Sequence, residues 1–143
     1  YFLEHSGPAD GLIIAGSVEN KLQHDRIHYV GQLTTDKLFS LYKASKYFLH
    51  LAWLDHCPNV VVDAMACGCQ VICSSAGGTK EVAGQNAIII QENDWDFTPV
   101  ELYKPPPMDF TQKVENVWHC NQQYDMLSVC QKYYNFINGE TNG

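Results

Sequence analysis

Asp55 and Asp63 stand eight positions apart and flank the turn His56-Cys57-Pro58-Asn59. Pro58 suits the first turn of a helix, where its missing N–H costs nothing. Asn59 and Asp63 then lie four apart, on one helix face. The start of such a helix offers free backbone N–H groups and the positive end of the helix dipole. Carboxylates accept from sugar hydroxyls, and amides donate to phosphate oxygens. The combination suits a polyhydroxyl ligand joined to phosphate. Spacing alone admits the plainer alternative, that both aspartates are solvated or capping side chains.

A second segment, Ser74-Ser75-Ala76-Gly77-Gly78-Thr79, joins an apolar run to a short helical stretch through small residues. Such residues let a ligand approach the backbone closely. The segment is neither a Walker loop nor G-x-G-x-x-G, and an ordinary tight connection explains it as well. Glu81, near the start of the next helix, suits the dipole there.

The surrounding elements must bring these segments together. Apolar runs at 12–16, 27–31, 46–51, 70–73 and 87–90 read as buried strands. Helical spacing of Leu38, Leu41, Tyr42 and Ser45 predicts a helix over 35–45, with Thr34 or Thr35 as N-cap. A second helix starts at Pro58, continues from 59 to 67 and is ended by Gly68. A third, short helix covers 78–83. Strands alternating with helices and apolar on both faces predict an α/β fold, a Rossmann-like parallel sheet with helices on both faces. Ligands of such sheets bind at the carboxyl ends of the strands. Asp55, the 57–59 turn and residues 74–79 all follow strand ends, so they would share one rim. Beyond 91, residues 92–107 read as a wrapped irregular segment. Residues 110–119 and 124–136 read as closing helices, and 138–143 as a frayed tail.

The chain has 143 residues, 45% of them hydrophobic and 17% charged, which implies one globular domain spanning 1–143. Its core would be 11–91, closed by 92–137. A net charge of −7 argues against non-specific nucleic-acid binding. No apolar run reaches the roughly 18 residues of a membrane span, and the first residues carry no signal-peptide pattern. The six cysteines form no C-x-x-C pair and no common zinc spacing, so buried thiols in a reducing, cytoplasmic setting are expected. His56 is the histidine that sequence places beside the aspartates.

Taken together, the two segments resemble the C-terminal, donor-binding domain of GT-B glycosyltransferases, specifically family 4. That family shows E-x7-E, an EAMA-type helix, G-x-PVI and a GG-x-x-E loop. Here the stretch reads Asp55-x7-Asp63, then Asp63-Ala64-Met65-Ala66-Cys67-Gly68-Cys69-Gln70-Val71-Ile72, then Gly77-Gly78-Thr79-Lys80-Glu81. Upstream, Tyr29-Val30-Gly31-Gln32-Leu33 and the helix after it are similar to the family's strand, loop and helix. The resemblance covers about 11–91.

It implies a retaining hexosyltransferase-like parent that moves a sugar from a UDP- or GDP-linked donor to a glycan or lipid-linked glycan, as in polysaccharide biosynthesis. Asp55 and Asp63 would be the catalytic pair, near the donor sugar and the ribose hydroxyls respectively. His56, Cys57, Pro58 and Asn59 would present groups to sugar and phosphates, and Gly77, Gly78, Thr79 and Glu81 would border the same cleft. The resemblance implies no metal and no cofactor beyond the nucleotide-sugar co-substrate, since the family's donor site manages phosphate charge with basic groups and amides. The family's basic diphosphate-binding pair lies in a first βα unit, and acceptor binding in an N-terminal domain. Both are expected to precede this stretch, which makes it an N-terminally truncated half and inactive alone. Any contact with a membrane would come through that missing domain.

Three alternatives stay open. Both acids are Asp where the family has Glu, which suits a non-catalytic nucleotide-sugar or carbohydrate-binding module on the same fold. A nucleotide-sugar epimerase of GT-B fold is another. Tyr133, Tyr134 and Phe136 in the last helix fit either core packing or a domain junction.

Overall fold

A computed structural model describes residues 1–92, 98–99, 112–115 and 126–139. The element order is α1 (Phe2–His5), β1 (Leu12–Ala15), β2 (Ile27–Gly31), α2 (Thr35–Ala44), β3 (Tyr47–His50), α3 (Asn59–Ala66), β4 (Gln70–Ser74), α4 (Thr79–Ala83), β5 (Ile88–Gln91), β6 (Gln112–Glu115) and α5 (Met126–Ile137). The fold is α/β and Rossmann-like, with the five expected strands running parallel to their partners.

Two features differ from the sequence reading. The strands form two sheets among the described residues, β1-β2 and β3-β4-β5-β6. Sequence marks where a strand is apolar but not which strand it pairs with. Residues 112–115, expected within a helix over 110–119, instead form a strand antiparallel to β5, with Val114 opposite Ile89. The physical reason is the edge of β5: an unpaired row of N–H and C=O groups beside an apolar strand is satisfied by a further strand. The other residues of that expected helix, and most of the 92–107 segment, lie outside the described residues, as does the tail from 140 on.

The core centres on β4 and β5. Val61, Val71, Cys73, Val82, Ala83, Ala87 and Ile89 form one buried cluster, with Phe48, Val62 and Met65 packed against it. A second cluster joins α2 to α3 through Tyr42, Ala64 and Cys69, and Phe48 borders this one too. From α3, Val61, Val62, Ala64 and Met65 enter these clusters, so one face of α3 is fixed in the core, while Asn59, Val60 and Ala66 are left to solvent. β1 and β2, expected as buried strands, instead alternate half-buried and exposed residues, because this smaller sheet is covered less completely. Burying one methylene is worth about 0.8 kcal/mol, so most hydrophobic stabilisation lies around β3, β4 and β5.

Among the described cysteines, Cys69 and Cys73 are buried, Cys67 is half-buried, and Cys57 and Cys130 are exposed, all as free thiols; Cys120 lies outside the described residues. The expectation of buried thiols therefore holds for only part of the set. Burial pushes the Cys73 thiol up to about 11, against a smaller lowering by Lys80. Tyr133, Tyr134 and Phe136 stand exposed on α5, so core packing does not account for them.

Candidate functional site

The site is built on the carboxyl ends of the neighbouring strands β3 and β4. Their pairing aligns His50 with Cys73, so the loops that follow, 51–58 and 75–78, leave the sheet side by side. Leu54 adopts a left-handed φ of 52°, a conformation that a branched side chain rarely takes and that clusters at functional turns. It reverses the chain just before Asp55.

The two loops then touch backbone to backbone. The Gly78 N–H donates to the Asp55 carbonyl at 2.9 Å, and the Thr79 hydroxyl reaches the same oxygen at 3.5 Å. A Cβ on Gly77 would lie 2.6 Å from the Asp55 carbonyl oxygen, and one on Gly78 would strike the carbonyl oxygen of His56. The sequence admits either the close approach of a ligand or an ordinary tight connection at these glycines. The space they vacate is filled by the 54–56 loop of the same chain. The glycines thus fix where Asp55 sits.

The Asp55 carboxylate is about a third exposed, and its Oδ2 lies 3.2 Å from Nε2 of His50. His56, Cys57 and Asn59 follow as exposed residues, while Pro58 is buried. Pro58 is the N-cap of α3 rather than its first helical residue, and no side chain caps the helix. Proline cannot offer a side-chain acceptor there, so the first-turn amides of α3 depend on other partners. Asp63, half-buried on α3, lies close enough to Tyr42 to help raise that phenol's pKa, second to burial itself. Thr79 is buried at 1% exposure, so its hydroxyl serves the loop contact. Glu81 is exposed on α4.

The structure therefore joins Asp55 and His56 directly to Gly77, Gly78 and Thr79. Asn59 and Asp63 share the helix that starts three residues after His56. It also adds a residue that the sequence reading passed over. His50 lies beside Asp55, whereas the sequence reading placed only His56 there. A cue existed, a histidine ending a strand just before an acidic turn. The meeting of the two side chains depends on the Leu54 reversal, which the sequence does not announce. No group of three or more His, Cys, Asp or Glu side chains suited to a metal occurs among the described residues.

Comparison with known proteins bears on this rim. A model of the family described as glycosyl transferases group 1 matches residues 6–98, and this span contains both loops. The chain belongs to that family. Among curated proteins, the O-antigen chain mannosyltransferase B of Escherichia coli is 29% identical over 79 residues, covering 55% of this chain and 21% of the relative. The chain thus spans about a fifth of that relative's length. No solved structure matches. No described helix is long and apolar enough to cross a membrane.

Proposed function

We propose that this chain is the donor-binding half of a retaining, family 4 glycosyltransferase of GT-B fold that uses a UDP- or GDP-linked sugar. The observation that carries the proposal is the docking of the 77–79 loop onto the 54–56 loop, which binds the two motif segments into one rim. Asp55 accepts from hydroxyls of the donor sugar. Asp63 accepts from the ribose. The first-turn amides of α3 donate to phosphate oxygens, where the helix dipole favours negative charge. Glu81 borders the cleft from α4, and His56, Cys57 and Asn59 flank the sugar and phosphates. In the reaction, the bond from the anomeric carbon to the diphosphate breaks. A bond to an acceptor oxygen forms on the same face, so configuration is retained. The nucleoside diphosphate leaves with the electron pair and takes up the proton that the acceptor hydroxyl gives up.

The named activity of the Escherichia coli relative supports a hexose as the transferred sugar and a growing polysaccharide as acceptor. Acceptor binding and the basic groups facing the diphosphate belong, in this reading, to parts of the parent outside this stretch. The test is transfer and hydrolysis of UDP- and GDP-sugars by this chain alone and by the parent. The chain alone binds donor weakly and transfers nothing; turnover comparable to the parent's contradicts the division of labour.

Aspartate at both acid positions favours a second reading, a non-catalytic sugar-nucleotide-binding module. The two readings separate in the full-length parent. A binding module is inactive as wild type. An enzyme tuned to the shorter side chain is active and is impaired by Asp55→Glu.

A further inference from the structure

The contact between His50 and Asp55 ties the first motif acid to a residue outside both motif segments. His50 ends β3, and the reversal at Leu54 brings Asp55 back to it. Nε2 lies 3.2 Å from Oδ2. The imidazole stacks on Phe48, with centroids 6.2 Å apart and planes at 18°. Phe48 in turn meets Tyr42 edge-on at 5.4 Å and borders both core clusters. The ring is thus braced by the core, and the His50 side chain is only 14% exposed. A hydrogen bond from Nε2 to a carboxylate needs the proton on Nε2, and the neutral Nε2–H tautomer suffices. The backbone of Asp55 is held separately, through Gly78. No described residue hydrogen-bonds Oδ1.

We propose that His50 is a positioning residue: it holds Oδ2 of Asp55 and leaves Oδ1 as the oxygen offered to a hydroxyl of the donor sugar. The inference rests on the reading of this rim as a nucleotide-sugar site. An unrestrained aspartate carboxylate turns broadly about its last torsion. Pinning one oxygen fixes the direction of the other, so a ligand hydroxyl meets an acceptor that is already oriented. Aspartate has one rotor fewer than glutamate, so a single contact from a braced ring is enough to hold it.

The test is NMR titration of the chain with GDP-mannose, UDP-glucose, GDP and UDP, in wild type, His50→Leu and His50→Gln. Leucine keeps the bulk without the N–H; glutamine restores an N–H near the place of Nε2. The expected result is about tenfold weaker binding of the sugar nucleotide in His50→Leu, with bare nucleotide unchanged and most of the loss recovered in His50→Gln. The carboxyl carbon shift of Asp55 moves in the leucine variant and returns in the glutamine variant, with no ligand present. Sugar-nucleotide binding that is intact in wild type and equal in His50→Leu overturns the role of His50 and leaves the site standing. An equal loss of bare-nucleotide affinity, or no recovery with glutamine, makes His50 a packing residue and also overturns it. If no ligand perturbs residues 55–59 in wild type, the reading of the site falls, and the role of His50 with it.

Discussion

Strand-end glycines occur in two regions of this molecule and serve different ends. In the β1-β2 sheet, Gly16 and Gly31 have positive φ, and a Cβ on either would meet nothing within 4 Å. At the rim, Gly78 has φ −91°, open to any residue, yet a Cβ there would strike the His56 carbonyl. Gly31 is required by backbone conformation and Gly78 by contact. The same letter in the sequence marks a turn in one sheet and a docking point in the other. The region built by contact is the one that holds Asp55.

Substitutions in the two regions should differ in cost. Gly78→Ala should cost about 3 kcal/mol, because backbone must move on one side of the contact; urea unfolding measures it, and a cost below about 1 kcal/mol removes the docked loops. Val61→Ala, in the core cluster beneath the rim with no exposed surface, should cost about 2 kcal/mol. Val30→Ala, 44% exposed on β2, should stay within about 0.5 kcal/mol. Gly31→Ala should cost about 1 kcal/mol, the conformational term alone.

The thiols draw the same contrast. At pH 8 and in the native state, iodoacetamide should modify exposed Cys57 and leave Cys73 untouched, which mass spectrometry reads directly. Burial holds the Cys73 proton more tightly in the folded state than in the unfolded one. The stability this represents is complete below the ordinary thiol value of 9.0 and is lost as pH rises through it toward about 11. Cys73→Ser should flatten that part of the stability–pH curve. On the ligand side, Asp63→Asn should weaken UDP or GDP binding a few-fold and leave free sugar unaffected; equal nucleotide affinity in both proteins contradicts the ribose role.

Much of this fold is legible in local composition. Val71-Ile72-Cys73 and Ile88-Ile89-Ile90 are β-branched or small apolar runs that a buried strand needs, and α3 repeats its apolar residues at helical spacing. β6 is not legible, because Gln112-Lys113-Val114-Glu115 carries one apolar residue and takes its strand form from the edge of β5. The split into two sheets is a matter of pairing, which no run of residues encodes. At the site, Asp55, Asp63 and the two glycines stand out by type and spacing. What the glycines touch, and the meeting of His50 with Asp55, depend on a left-handed Leu54. Leucine gives no sequence signal for that conformation, so this part of the site emerges only in three dimensions.

The rim is tested most directly by backbone chemical shifts of this chain titrated with UDP, GDP and their sugar conjugates. A nucleotide-sugar site shifts residues 55–63 and 77–81 together, more for one base than the other, and more again with the sugar attached. Unmoved resonances at both loops in millimolar ligand, with the fold intact, contradict a donor site on this rim.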